Sequence, residues 1–78
     1  MRDKIFDKIL EVINVRFGEN EGLTFETNFS DIDGWDSLSN VVFIRDLEQH
    51  FGVSFTFDEI FSFENLGQIV DSIEERIG

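Results

Sequence analysis

A serine at the start of a predicted helix is the residue of this chain best placed to carry a covalent group. It lies in the segment Gly34-Trp35-Asp36-Ser37-Leu38, which leads from a long loop into an apolar helix. The N–H groups of a first helical turn have no acceptor within the helix, and the helix dipole adds positive potential there. A phosphate ester on Ser37 would therefore have the geometry typical of helix-terminal anion sites. Taken alone, an Asp-Ser pair at a helix start more often reflects simple capping by Asp36.

Other combinations of reactive side chains do not form a catalytic or metal site. His50 is the only histidine, and at about 1.5 Å per residue it would lie roughly 20 Å from Ser37 along the same helix, too far for a Ser-His pair. The absence of cysteine excludes disulfides, thiol catalysis and cysteine-ligated zinc. Asp31, Asp33 and Asp36 could attract a divalent cation weakly, but an EF-hand register lacks carboxylates at both ends. We therefore expect no catalytic residue and no dedicated metal ligands.

The composition is typical of a small, strongly acidic domain. The 78 residues include 17 Asp and Glu against 6 Lys and Arg, a formal net charge of −11. Such a surface repels phosphate backbones and anionic lipid heads, so we expect no nucleic acid and no membrane among the partners. No apolar run approaches the roughly 20 residues of a membrane span, and the first residues do not resemble a signal peptide. We expect one domain over residues 1–78, monomeric and cytoplasmic, with most of its ten phenylalanines in the core.

The elements that must position Ser37 are predicted to be helices. Helical spacing of apolar residues or a helix-start signal marks four segments: residues 3–17, residues 36–51, a short helix that starts at 56, and residues 66–77. Asp3 and Asp36 are the expected N-caps, and Gly18 and Gly52 the expected ends of the first two helices. The segment 56–59 fits a capping box. The fold class is therefore all-α, a small bundle of three to four helices with a long loop between the first and second.

The second predicted helix has two apolar faces. One arc of about 100° is an ordinary core face, and it contains Phe43, Ile44, Leu47 and Phe51. The opposite arc contains Leu38, Val41, Val42 and Arg45. One helix of a small bundle rarely buries both faces, and exposed apolar strips mark binding surfaces. Alternatively, the long loop folds over Leu38 and Val41 and hides part of the strip.

With an Asp-Ser-Leu motif at the start of an apolar second helix, this small acidic chain resembles the acyl carrier protein family. The resemblance covers nearly the whole chain, including GWDSLSNVVFIRDLEQHFGVSFTFDEI and FENLGQIVDSI. It implies 4′-phosphopantetheine on Ser37, attached by a phosphopantetheinyl transferase, and this group would supply the thiol that the chain lacks. Acyl intermediates would travel on it as thioesters between acyl-loading and acyl-transfer enzymes with basic docking patches. The chain itself would not be an enzyme.

The resemblance also implies roles for neighbouring residues. Asp36 would help to position the metal and basic groups of the transferase, and Leu38 would complete the attachment motif. The implied docking face consists of Leu38, Val41, Val42, Arg45 and Glu48.

Several positions depart from carriers of fatty acid synthesis. Those carriers usually have glutamate at the position of Val42 and an apolar residue at that of Arg45, and Thr56 replaces a common proline. Trp35 before the motif is similar to carriers of polyketide, hybrid peptide or surface-glycan pathways. We therefore expect a specialised carrier for a fatty acid, polyketide or related pathway. The alternative is a noncovalent acidic helical adaptor, or a nucleic-acid mimic, that binds a basic protein partner.

Overall fold

Four α-helices and one short 3₁₀ helix make up the regular structure of the computed structural model, which describes residues 2–18 and 20–77. In chain order these elements are α1 (Arg2–Phe17), a 3₁₀ helix (Phe29–Asp31), α2 (Ser37–Phe51), α3 (Phe57–Ser62) and α4 (Leu66–Ile77). They confirm the predicted all-α bundle with a long loop between its first two helices. The predicted domain of residues 1–78 includes positions 1, 19 and 78, which lie outside the described residues. Within the described ranges, no helix is both long and apolar enough to cross a membrane.

Residue types at the helix ends explain where α1 and α2 begin and end. α1 begins at Arg2, so the prediction of Asp3 as its N-cap was wrong. Arg2 pairs with Asp71 of α4 at 3.0 Å, and Asp3 lies in the first turn of the helix. Gly18 and Gly52 follow α1 and α2 with φ values of 87° and 67°. Glycine adopts this left-handed backbone without a Cβ clash, so both predicted ends are confirmed.

The short helix α3 is fixed by its first turn and by one arginine of α4. The hydroxyl of Thr56 accepts from the N–H of Glu59 at 3.2 Å, and the Glu59 carboxylate accepts from the N–H of Thr56 at 3.0 Å. This is the predicted capping box. Arg76 pairs with Glu59 and donates to the carbonyl of Ser54 at 3.0 Å. Its guanidinium lies 4.4 Å from the centre of the Phe55 ring, so α3 is tied to the last turn of α4.

The core receives side chains from all four helices and from the long loop. The predicted core face of α2 is confirmed: Phe43, Ile44 and Leu47 are buried, and Phe51 packs partly against the core. Phe29 and Ile32 of the long loop are also buried. These two side chains anchor the loop, and the anchored loop then leads into α2.

The long loop also accepts hydrogen bonds from the first turn of α4. The carbonyls of Thr27 and Phe25 accept hydrogen bonds from the N–H groups of Leu66 at 3.1 Å and Gly67 at 2.8 Å. The side chain of Asn65 accepts a further N–H of the same turn at 2.9 Å. The first donors of a helix need such partners from outside it. The loop is therefore held at α4 as well as in the core, which fixes its path toward α2.

Candidate functional site

The turn before α2 is anchored to the core, and it places the start of α2 at the surface. Gly34 has a φ of 85°, the left-handed conformation that reverses the chain. The N–H of Trp35 donates to the carbonyl of buried Ile32 at 3.1 Å. The Trp35 ring stacks on Phe29, with centroids 6.4 Å apart and planes 23° from parallel. These two contacts hold Trp35 in place just before α2 begins.

Asp36 is the N-cap of α2, as predicted. Its backbone is extended, and its carboxylate accepts from the N–H of Ser39 at 2.8 Å. Its carbonyl accepts from the N–H of Asn40 at 2.9 Å, which starts the helical hydrogen bonds. The hydrogen bond from the Ser39 backbone, followed by the Ser39 side chain, lowers the pKa of Asp36 below its ordinary value. The carboxylate is therefore ionised at neutral pH and holds the first turn.

Ser37 is the first residue of α2, and it is exposed. Its own N–H and that of Leu38 belong to the first turn, where donors lack an acceptor within the helix. These donors and the positive end of the helix dipole favour an anion at this position. The arrangement fits a phosphodiester, because the hydroxyl is on the surface and the attached group would extend into solvent. No rearrangement of the core is needed to reach it.

The predicted docking residues lie at different depths along α2. Leu38 is 75% exposed, so the long loop does not cover it. Val41 packs partly against the core, while Val42 is half-buried and Arg45 is exposed. The second apolar arc of α2 is therefore exposed at Leu38, partly buried at Val41 and Val42, and exposed again at Arg45.

Glu48, the fifth predicted docking residue, faces largely away from solvent. Its side chain is 10% exposed, and one carboxylate oxygen accepts from the N–H of Phe55 at 2.7 Å. The other oxygen accepts from Arg45 at 3.4 Å. Glu48 thus fixes the connection between α2 and α3 and orients Arg45, and it offers little surface of its own.

Asn40 is a buried polar residue whose importance the sequence did not reveal. Its side-chain amide donates to the carbonyl of Ile60 in α3 and accepts from the indole N–H of Trp35, both at 3.4 Å. It therefore connects the turn before α2 with α3. In the sequence it is one polar residue among several on α2, and only its position one turn after Ser37 draws attention to it.

The other reactive residues are not brought together. His50 is exposed in the last turn of α2, at the end opposite Ser37. Asp31 and Asp33 are exposed in the long loop. The parts of the chain that the structure describes contain no group of three or more His, Asp or Glu placed to hold a metal ion.

Comparison with known proteins adds the family to this geometry. Residues 3–73 match the family model described as a phosphopantetheine attachment site, which defines the class as carriers of covalent 4′-phosphopantetheine. The acyl carrier protein of Thermotoga maritima is 33% identical over 78 residues, which cover 99% of this chain and 96% of that protein. The acyl carrier protein of Lactobacillus johnsonii is 32% identical over 76 residues, with coverage of 95% and 94%.

Solved structures agree with these relatives. The acyl carrier protein from Enterococcus faecalis aligns with a TM-score of 0.79 and 26% identity over 96% of both chains. A Toxoplasma mitochondrial acyl carrier protein, at 22% identity, shares the fold with a TM-score of 0.79 over 99% of this chain and 92% of that one. The chain belongs to the acyl carrier protein family. It carries 4′-phosphopantetheine covalently and shuttles acyl groups, so it interacts with acyl-handling enzymes, and a noncovalent adaptor is not favoured.

Proposed function

We propose that Ser37 is the residue that bears 4′-phosphopantetheine, within a single carrier domain formed by residues 1–78. The observation that carries the proposal is the exposed position of Ser37 as the first residue of α2, directly after its N-cap. Ser39 carries the next hydroxyl along the chain. It is partly buried in the first turn of α2, and its N–H donates to Asp36. Ser37 is therefore the better placed of the two for a phosphodiester at the helix end.

When bound, the prosthetic group supplies the thiol on which acyl intermediates are held as thioesters. The first-turn N–H groups of α2 would hold the phosphodiester, and the turn before α2 keeps Ser37 on the surface. Asp36 keeps that turn in shape, and its ionised carboxylate lies next to Ser37, available to the metal and basic groups of a phosphopantetheinyl transferase. The chain delivers its cargo to separate enzymes and catalyses no step itself, and we propose the cytoplasm as its compartment.

We propose a docking face on α2 that consists of Leu38, Val41, Val42 and Arg45, with Glu48 as the residue that orients Arg45. The exposed leucine supports this face, as does the ion pair of Arg45 with Glu48 at 3.4 Å. Cognate acyl-loading and acyl-transfer enzymes would present basic patches to the surrounding acidic surface, and the carrier would meet them as a monomer. Because Val42 and Arg45 depart from carriers of fatty acid synthesis, the pathway we propose is a specialised one, such as polyketide or related synthesis.

The attachment proposal is tested by incubating the apo protein with coenzyme A, Mg²⁺ and a broad-specificity phosphopantetheinyl transferase, followed by intact-mass measurement. We expect one phosphopantetheine adduct on the natural chain and on Ser39→Ala, and none on Ser37→Ala. Circular dichroism checks that both variants keep their helices. An adduct on Ser37→Ala, or an unmodified natural chain, would contradict the proposal; the second result is the one that the adaptor alternative predicts.

The docking proposal is tested by Val42→Asp. A charge on the half-buried strip should lower kcat/KM for acyl transfer with the cognate enzyme by about tenfold, because apolar contact at an interface centre is lost. Helix content should not change. Val15→Asp is the matched control, since Val15 is 87% exposed on α1, outside the proposed face. If Val42→Asp unfolds the protein, or if the control variant slows transfer equally, the face is wrong.

A further inference from the structure

Helix α3 carries an exposed pair of aromatic rings. Phe57 and Phe61 are 62% and 58% exposed, although phenylalanine is usually buried. Their rings are stacked, with centroids 6.4 Å apart and planes 9° from parallel. The spacing of four residues places them side by side on one face of the helix. They form a continuous apolar surface on α3, which we call the aromatic pair.

Phe61 is the member of the aromatic pair that lies toward the Ser37 end of α2. Phe57, in contrast, closely follows Phe55, whose N–H is bound by Glu48 near the other end of α2. Asn40 is three residues after Ser37, and its side chain donates to the carbonyl of Ile60 at 3.4 Å. Phe61 directly follows Ile60. The first turn of α2 and the Phe61 part of α3 are therefore close enough for one partner to contact both.

The helix that carries the aromatic pair is fixed at its first turn and tied to α4. The capping box fixes the first turn of α3, and Glu59, between the two rings in the sequence, pairs with Arg76 of α4. An anchor that is already ordered loses little conformational entropy when it binds. Aromatic side chains on a fixed element are the type of residue that dominates interface energies.

The surroundings of the aromatic pair are negatively charged. The chain has no lysine or arginine between Arg45 and Arg76, and Arg76 is engaged by Glu59. Asp58 and Glu64 are exposed on either side of Phe61 along the chain. A second copy of this chain would bring another net charge of −11 against the same surface. Charge complementarity therefore selects an occupant with basic side chains.

We propose that Phe57 and Phe61 anchor the acyl-handling enzymes that this carrier serves. The matching surface of such an enzyme is an apolar cleft with a rim of lysine and arginine. This inference rests on the proposed function, because it assigns the aromatic pair to partners of the same carrier.

The test begins with identification of the partner. Phe61 is replaced by the photo-reactive residue benzoylphenylalanine, the holo protein is cross-linked in its source cells, and the captured protein is identified by mass spectrometry. The purified partner is then assayed for acyl transfer to or from the holo carrier. The inference predicts capture of an enzyme that performs this transfer. Capture of a second carrier chain alone, or of no enzyme that transfers acyl groups, would overturn it.

Kinetics with that enzyme measure the contribution of the aromatic pair. We expect Phe57→Gln/Phe61→Gln to raise KM at least tenfold with kcat nearly unchanged, because the anchor acts in binding. Phe57→Met/Phe61→Met keeps an apolar surface and should retain most of the affinity. Val15→Gln, an exposed apolar residue of α1, is the matched control and should have no effect. An unchanged KM for the glutamine variant would overturn the inference.

Loading by the broad-specificity transferase separates this inference from the function on which it rests. Both double variants should accept phosphopantetheine from coenzyme A as the natural chain does. If the natural chain is not loaded, the proposed function fails. If all forms are loaded and KM does not respond to the glutamine variant, only the anchor fails.

Discussion

At the scale of single residues, the geometry of Ser37 depends on the carboxylate beside it. Asp36 accepts from the N–H of Ser39 at 2.8 Å and so fixes the turn from which Ser37 projects. This hydrogen bond is also the main reason that the pKa of Asp36 is lowered. The charge that holds the turn therefore persists into mildly acidic solution.

The contribution of Asp36 to stability should depend on pH. A group whose pKa is lowered by folding contributes stability above its unfolded pKa and loses that contribution as the pH falls through its folded pKa. Urea unfolding should therefore show the natural chain to be more stable than Asp36→Asn at pH 7, with the difference shrinking as the pH falls below about 4, the ordinary pKa of aspartate. Asp33→Asn, in the loop before the turn, controls for loss of one negative charge. A difference between the natural chain and Asp36→Asn that is constant with pH would contradict this role.

At the scale of elements, the start of α4 is formed by two distant segments. Carbonyls of the long loop accept the N–H groups of Leu66 and Gly67. A Cβ on Gly67 would lie 2.9 Å from the carbonyl oxygen of Phe25 and 3.3 Å from its Cβ. Both contacts are too close, so the loop and α4 approach each other only because residue 67 has no side chain.

Gly67→Ala tests this approach. Helix propensity alone predicts that alanine stabilises α4 by about 1 kcal/mol. We expect the opposite, a loss of roughly 1–3 kcal/mol in the free energy of unfolding, because the backbone must shift to admit the methyl group. Glu75→Ala, on the exposed side of the same helix, should change little. A Gly67→Ala variant as stable as the natural chain would show that the loop yields easily.

The distance between interacting residues decides which elements and side chains the sequence could predict. The cap at Asp36 and the end at Gly52 were predicted correctly, since each depends on residues within one turn. The link from Asn40 to the Ile60 carbonyl joins positions 20 apart, and no local pattern indicates it. The exposure of the aromatic pair could not be predicted for another reason. α3 has only 6 residues, too few for periodicity to separate an exposed face from a buried one.

At the scale of the whole molecule, charge and shape act together. The net charge of −11 attracts basic partners over distances longer than any contact. The loop, anchored in the core and at α4, places Ser37 at one end of α2, directly before the exposed Leu38. A covalent arm at that point would leave the bundle intact while its partners bind around it.

Direct assignment of the modified residue tests whether the arm is attached at Ser37. Trypsin cleaves after Arg16 and Arg45, and the peptide between these cuts, residues 17–45, contains Ser30, Ser37 and Ser39. Fragmentation of this peptide from holo protein isolated from its source should assign the phosphopantetheine to Ser37. Assignment to Ser30 or Ser39 would contradict attachment at Ser37.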